Sequence, residues 1–432
     1  VKTLVIGTGG REHALALALS RDASVTEVHA APGNPGIGAV ATLHSVDPLD
    51  GAAVAALALE IGADLVVVGP EAPLVAGVAD AVTEAGIPVF GPSRDAAQLE
   101  GSKAFSKGVM EAAGVPTARS FTCTTPAEVA AALDEFGAPY VVKDDALAAG
   151  KGVVVTNDRD EALAHAAGCG RVVVEEFLKG PEVSVFAVCD GATAYALQPA
   201  QDFKRIFDGG LGANTGGMGS YSPLPWAPAD LRETVIEKVV QPTLDEMARR
   251  GMPFRGCLYV GLALTDAGPR VIEFNVRFGD PDIQPVLALI ESPVGQLLLA
   301  AARGRLHEIE APVFRDGASV TVVLASAGYP ESSSAGDVIR GTGNANGVAD
   351  VDVIHAGTAI IDAPEPGDPD HRHLVTAGGR VLAVRAIGYD VADARSRAYA
   401  AADLIAFNGM QRRSDIAAEP LGVIEGAAVL EG

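Results

Sequence analysis

In roughly the first hundred residues, apolar positions follow two periods in turn. Short β-branched runs at 3–6, 27–31, 64–68 and 88–90 read as buried strands, and alanine-rich stretches at 11–20, 51–61 and 72–85 read as the helices between them. Strand and helix in alternation predict a parallel sheet covered on both faces. Three of the strands run into loops rich in glycine or proline, at 7–10, 32–36 and 69–73. Ligands of open α/β sheets bind beyond the carboxyl ends of the strands, so these loops are expected to face a site.

From about Leu99 the rhythm changes. A helix carrying Ser102, Lys103 and Lys107 precedes strands at 140–143, 152–156, 171–175 and 182–189, and a long amphipathic helix follows near 231–250. Runs at 257–265 and 270–275, joined by a turn through Asp266 and Gly268, predict an antiparallel pair. Beyond about Ala318 come short strands at 319–325, 351–356 and 380–386 and a late helix at 393–407, while the Pro- and Asp-rich stretch 363–370 reads as a surface loop. There is no internal repeat.

Composition narrows the function classes. A net charge of −23, from 32 basic and 55 acidic side chains, argues against general affinity for nucleic acid or an anionic membrane, but leaves room for a local phosphate pocket. Hydrophobic residues at 48% supply material for packed cores, and 432 residues suit several domains. Cys123, Cys169, Cys189 and Cys257 are scattered without zinc-site spacing, and so few thiols need no disulfide framework. The first strand begins at Lys2 without a basic-then-apolar leader, and no apolar run reaches the roughly 18 residues of a membrane span. A soluble, cytoplasmic protein is expected.

Five segments carry candidate chemistry. Gly7-Thr8-Gly9-Gly10-Arg11-Glu12-His13 follows a strand and opens a helix, where free N–H groups can hold an anion. Glu12 replaces the third glycine of the dinucleotide fingerprint and no acid ends the second strand, which disfavours a nicotinamide or flavin enzyme; alone, the segment reads equally as a tight turn. Lys143 ends a strand, and a loop of small residues leads through Gly150-Lys151-Gly152 into the next. Small residues let backbone amides approach phosphate oxygens while lysines add charge, although the segment is not a P-loop. Glu175, Glu176 and Glu182 flank a hinge at Phe177 and Leu178 and can accept hydrogen bonds from adenine and ribose, though a solvated edge suits any single glutamate as well.

Arg205 and the glycine-dense run ending Asn214-Thr215-Gly216-Gly217-Met218-Gly219 suit a loop that envelops a polar substrate. The sharpest constellation is Glu273-Phe274-Asn275-Val276-Arg277-Phe278-Gly279-Asp280-Pro281. Period-two alternation puts Glu273, Asn275 and Arg277 on one strand face. A carboxylate and an amide oxygen two residues apart are hard ligands suited to Mg²⁺ that also holds phosphates, and the arginine can steady a transferring phosphoryl group.

In this order, and with the segments 31–36, 68–74 and 99–103, these motifs resemble the ATP-grasp superfamily and, within it, the glycinamide ribonucleotide synthetase (phosphoribosylamine–glycine ligase) family, from Val5 to about Asp415. The resemblance implies an α/β and α+β chain: a Rossmann-like pre-ATP-grasp domain over 1–100, an ATP-grasp domain over 101–315 with a mobile lid at about 121–190, and a small mixed C-terminal domain over 316–432. It implies an ATP-dependent ligase of purine biosynthesis that joins glycine to 5-phospho-D-ribosylamine through a glycyl phosphate, as a monomer or homodimer with small-molecule substrates.

By the same resemblance Lys103, Lys143, Gly150, Lys151 and Gly152 would contact ATP phosphates, and Glu175, Phe177, Leu178 and Glu182 would hold adenine and ribose. Glu273 and Asn275 would bind Mg²⁺ or Mn²⁺. Arg205, Arg277 and Asp280 would serve the chemistry, and Gly9, Gly10, Arg11, Glu71, Asn214, Thr215, Gly216, Gly217 and Arg413 the substrates.

Departures from the family pattern are also plain. Lys143-Asp144-Asp145-Ala146 replaces Lys-Ala-Asp-Gly, Phe207 stands where glycine is usual, Gly209-Gly210 replaces an acidic pair, and Asp282-Ile283 replaces Glu-Thr. The segment around Arg412-Arg413-Ser414-Asp415-Ile416-Ala417 lacks the usual aromatic and glycine, and Glu419 stands where a second arginine is expected. An acid there would repel a ribose phosphate. These changes motivate an alternative, a paralogous ATP-grasp amide ligase with a different amino acid or amine in specialised metabolism.

Overall fold

The computed structural model describes residues 1–146, 152–362 and 372–418; the expected loop at 363–370 lies outside them. Five parallel strands open the chain: β1 (Lys2–Gly7), β2 (Glu27–Pro32), β3 (Thr42–Leu43), β4 (Leu65–Val68) and β5 (Val89–Phe90), in the order β3-β2-β1-β4-β5. Leu4, Val5, Ile6, Leu65, Val66 and Val67 are wholly buried, so these strands read as continuous apolar runs. β3 is too short to leave a periodic signal. The helix expected over 72–85 is two, Glu71–Ala76 and Val78–Glu84, broken at Gly77, whose φ of 91° favours glycine.

The segment expected as a lid holds an antiparallel sheet of β6 (Ser120–Cys123), β7 (Tyr140–Asp144), β8 (Val153–Thr156) and β9 (Val172–Glu175), ordered β6-β9-β7-β8. Helices Pro126–Phe136 and Arg159–Ala167 close a small core around Leu133, Val142 and Val174. The first of them starts where Thr125 and Glu128 form a reciprocal cap with Pro126 in the first turn, a signature visible in the sequence.

β10 (Glu182–Asp190) pairs not with the lid but with β11 (Ala194–Ala196) and the later β16. Short strands follow, β12 (Gln201–Asp202), the hairpin β13 (Arg205–Phe207) and β14 (Leu211–Asn214), and β15 (Gly219–Ser222). The expected long helix runs as Leu231–Val235, a π turn Ile236–Val240, and Gln241–Arg249. Pro242 has no N–H to give the preceding turn, which accounts for the irregular register there. β16 (Arg255–Thr265) and β17 (Gly268–Asn275) complete the second sheet, β11-β10-β16-β17.

β18 (Ala318–Ala325), β19 (Val351–His355), the hairpin β20 (Thr358–Asp362) and β21 (Arg372–Thr376), and β22 (Arg380–Gly388) follow, with helix Val391–Ala402 packed on β18 and β22. The sheet β12-β15-β18-β22-β19 takes strands from both sides of residue 316. Among the described residues no helix is long and apolar enough to cross a membrane.

The first and second sheets share one core. Phe186 of β10 is wholly buried, 4.8 Å from the ring of Tyr259 and 6.1 Å from that of Phe278, in a cluster that also holds Val5, Leu65 and Phe90. Phe186→Ala should lower stability by about 3–5 kcal/mol, read as an earlier urea midpoint; an unchanged midpoint would show that the two sheets do not depend on this joint.

Candidate active site

A cleft opens over the second sheet, lined by Glu182, Asp202, Lys204, Tyr259, Ile272 and Glu273. Lys143 reaches its edge from β7: Nζ donates to the Ile272 carbonyl at 2.9 Å and pairs with Glu175 at 2.8 Å. The other oxygen of buried Glu175 pairs with Lys107 at 3.0 Å, and Lys107 also donates to Thr117 Oγ1 at 2.8 Å and to the Ala118 carbonyl at 3.0 Å. All three ammonium protons of Lys107 are therefore engaged, whereas Lys143, with two partners among the described residues, keeps one to offer. Burial pulls Lys107 below its ordinary value and neighbouring Lys143 adds to this, against the attraction of Glu175.

Across the cleft Glu182 pairs with Lys204 at 2.5 Å. Burial pushes the Glu273 carboxyl up, but the charges of Lys143, Lys204 and Lys103 outweigh it and hold it below the usual range. Asn275 Nδ2 donates to Glu273 at a long 3.4 Å, and Asn275 Oδ1 accepts from Arg277 at 3.4 Å. β17 is bulged here: Gly261 faces Glu273 and Leu262 faces Val271, so Ile272 is left over and lines the cleft beside Glu273 instead of facing away.

The donor types suit a hard cation, but Asn275 would have to turn its amide over to offer the oxygen, since Oδ1 here faces Arg277 and Nδ2 faces Glu273. Among the described residues no group of three or more His, Cys, Asp or Glu is arranged for a metal. A cation at Glu273 would therefore draw its other ligands from phosphate and water, as Mg²⁺ does. Beside the cleft, Tyr259 and Ser184 both donate to buried Asp282, at 3.1 and 2.8 Å.

Arg277 lies just past β17 and closes a clasp. Its Nε donates to Glu71 at 3.1 Å and its Nη2 to Glu100 at 3.0 Å. Glu71 opens the helix after β4, and Glu100 also accepts from the Val276 N–H at 2.8 Å. Burial pushes Glu100 up in spite of Arg277, while for Glu71 the burial is outweighed by Arg277 and Arg11, and its carboxyl sits below the usual range.

Asp280 faces the turn at Gly9 and Gly10, where a methyl group on Gly10 would come within 3.1 Å of Oδ1. It accepts from Gln284 at 2.8 Å and lies 3.5 Å from Arg380, which also donates to the carbonyls of Gly216 at 2.6 Å and Asp280 at 2.5 Å. Burial raises the Asp280 carboxyl, but Arg380 and Arg11 outweigh this and keep it low. At the turn itself the Gly9 N–H donates to Glu12 at 2.6 Å, as does Arg11 Nε at 2.5 Å, so the chain's own acid occupies a donor that the sequence offers to an anion.

The remaining expected residues divide. Lys103 opens helix Lys103–Ala113 with Nζ 3.3 Å from the Ala146 carbonyl. Phe177 and Leu178 are half-buried in the link between β9 and β10. Gly150 and Lys151 lie outside the described residues, while the Gly152 carbonyl accepts from Asp144 at 2.7 Å. Thr215 Oγ1 donates to the Lys204 carbonyl at 2.7 Å, and methyl groups on Gly216 and Gly217 would meet Arg380 at 2.8 Å and Pro281 at 2.5 Å.

Asn214 pairs with Arg205 across the β13–β14 hairpin, and Arg205 Nη1 donates to the Gly212 carbonyl at 2.8 Å within it. Arg413 is 2% exposed, bound to Asp415 at 2.7 and 2.8 Å and to the Arg205 carbonyl at 3.2 Å, its guanidinium over Phe203. It braces the hairpin from beneath. Tyr259 and Arg380 join the site through tertiary pairing alone and carry no local signal.

The comparisons agree along the chain. Phosphoribosylglycinamide synthetase descriptions match in three parts: the N domain over 1–100, the ATP-grasp (A) domain over 101–283 and the C domain over 319–419. A phosphoribosylamine–glycine ligase from Streptomyces coelicolor is 61% identical over 98% of this chain and 100% of its own length. One from Leifsonia xyli is 54% identical over 97% and 100%. A crystal structure of phosphoribosylamine–glycine ligase from Thermotoga maritima superposes with a TM-score of 0.82 at 34% identity, covering 96% of this chain and 100% of that one. The biotin carboxylase domain of a Hydrogenobacter thermophilus 2-oxoglutarate carboxylase, in complex with MgADP, shares the fold at a TM-score of 0.71 and 18% identity over 95% and 91%.

Arg277→Met should cost about 3 kcal/mol, because Glu71 and Glu100 then face each other without their cation. Glu100 already binds its proton more readily folded than unfolded, and losing Arg277 widens that gap. The variant's deficit should therefore shrink as pH falls through the raised Glu100 range and grow as pH rises. Adding Glu100→Gln should restore much of the loss in urea titrations; a pH-independent deficit, unrelieved by the second change, would refute the clasp.

Proposed function

The chain belongs to the phosphoribosylglycinamide synthetase family, and we propose that the cleft around Glu273 performs that family's reaction, converting ATP, glycine and 5-phospho-D-ribosylamine to glycinamide ribonucleotide, ADP and phosphate. The observation that carries this placement is the cleft that gathers Glu182, Lys204 and Glu273, with Lys143 hydrogen-bonded to the Ile272 carbonyl at its edge. Such a field suits the polyphosphate of a nucleotide, and the half-buried backbone at Phe177 and Leu178 suits its adenine edge. With both Glu175 oxygens engaged by lysines, we read Glu175 as holding Lys143 in place, and Glu182 as the acceptor for ribose.

A divalent cation, Mg²⁺ or Mn²⁺, held by Glu273 and Asn275, would neutralise phosphate charge and orient the γ-phosphoryl group. Lys143 directs its remaining proton at the phosphates, easing repulsion as a glycine carboxylate oxygen attacks the γ-phosphorus and ADP leaves. Arg277, fixed by Glu71 and Glu100, lies at the carboxylate end. The amine then attacks the acyl carbon and phosphate departs, with Asp280 and the Gly9–Gly10 turn flanking its approach. Holding both reactants in register supplies roughly 7–11 kcal/mol of the second barrier, and the lid keeps water from the acyl phosphate.

We assign the pre-ATP-grasp, ATP-grasp and C-terminal domains to 1–100, 101–315 and 316–432, with Arg205, Asn214, Thr215, Gly216, Gly217 and Arg413 on the substrate side and Gly150, Lys151 and Gly152 on the phosphate side. A cytoplasmic monomer or homodimer fits this reading. ADP release should need both glycine and the amine, and Glu273→Ala should cut kcat by about 10² or more. Full activity of that variant with normal metal dependence would remove the metal assignment, and turnover only with another acid or amine would favour the paralogous ligase.

A further inference from the structure

We propose that Asp145 is a positioning residue that sets Lys103 against Lys143 by clamping the root of the lid to the first turn of helix Lys103–Ala113. The proposal rests on the reading that these two lysines hold nucleotide phosphates, and it adds a residue that neither the motif argument nor the reaction uses. Asp145 lies one residue past β7 and is 7% exposed. Its Oδ1 accepts from the Ala104 N–H at 2.6 Å and from Ser102 Oγ at 3.2 Å, and its Oδ2 accepts from Arg171 Nε at 2.5 Å. Its own N–H donates to the Arg171 carbonyl at 3.0 Å. Asp144, by contrast, turns back to the Ala146 N–H at 3.3 Å, a local turn contact.

Two bodies meet at this carboxylate. The helix packs on helix Gln241–Arg249 and on β17, while β7 belongs to the lid sheet. Ala104 N–H is among the first helical amides, which lack an acceptor inside the helix and carry the positive end of its dipole. Ser102 caps Phe105 at 3.1 Å, and Asp145 takes the amide next to it. In many nucleotide sites such an amide meets a phosphate. Here a lid acid fills it, so the phosphates are left to the lysine side chains on either side.

The same contact brings Lys103 Nζ to within 3.3 Å of the Ala146 carbonyl, directly after Asp145. Lys143, two residues before Asp145, is held from the other side by Glu175 and Ile272. Asp145 thus joins the two backbone segments from which the lysines extend, while Glu175 and Ile272 fix the Lys143 ammonium. A displacement of about 1 Å in such a pair is enough to cost orders of magnitude in rate.

Steady-state kinetics on the full chain test the idea. Asp145→Ala should raise the KM for ATP by about tenfold or more with the KM values for glycine and the amine unchanged. Asp145→Asn, which keeps an amide oxygen for Ala104 but loses the charge facing Arg171, should fall between. Arg171→Met, altering a side chain that is half exposed, should raise the ATP KM several-fold and serves as the readout if Asp145→Ala does not fold. An unchanged ATP KM in the folded variants, or a joint rise of all three KM values with a lowered Tm, would overturn the proposal. Lys143→Met separates the premises. If it raises the ATP KM while the Asp145 and Arg171 variants do not, the clamp alone is wrong; if it leaves that KM unchanged, the phosphate reading fails and the clamp falls with it.

Discussion

One guanidinium holds the geometry of the site together. Arg277 stands where the strand bearing Glu273 and Asn275 ends, and its two acids come from elsewhere: Glu71 from the start of the helix after β4 and Glu100 from the short helix Gln98–Gly101 before Lys103. The first sheet, the approach to helix Lys103–Ala113 and the end of β17 are thereby tied at a single point. An ion pair this enclosed contributes little net stability, because desolvation offsets the attraction. What it fixes is orientation, since a planar fork meets two carboxylates in one arrangement.

Legibility in the sequence followed range. The buried strands of the first sheet and the Glu273–Asp280 segment announce themselves because each depends on neighbours within a few residues. The break at Gly77 and the π turn before Pro242 are also local, yet they interrupt periodic stretches that read as whole helices. The bulge opposite Gly261 defeats strict alternation at Ile272. Arg380, Tyr259 and the engagement of Lys107 by Glu175 depend on contacts between distant segments, and periodicity carries no trace of those. Arg413 shows the opposite difficulty: a motif made it conspicuous, but the neighbour two residues on, Asp415, takes up two of its donors, and the Arg205 carbonyl accepts from a third.

A common electrostatic pattern runs through the described residues. Positions that offer positive charge or free amides are met first by the chain's own acids: Glu12 at Gly9, Asp145 at Ala104, Glu175 between two lysines. In a chain of net charge −23, acids outnumber cations, and Lys107, Lys143, Lys204 and Arg277 at the site are each held in a fixed direction by at least one carboxylate. On the proposed reading, a nucleotide entering the cleft would meet donors already oriented, so little reorganisation would accompany phosphate binding.

The sheet that joins β12 and β15 to β18, β22 and β19 has a consequence during synthesis. β15 leaves the ribosome with one edge waiting for β18, whose first residue, Ala318, follows Ser222 by roughly a hundred positions, on the order of 5–20 s of elongation. Through that interval an unpaired row of amides and carbonyls is open to the wrong partner. Nascent chains stalled between these strands are therefore where crowding and chaperones bear most on the yield of folded enzyme.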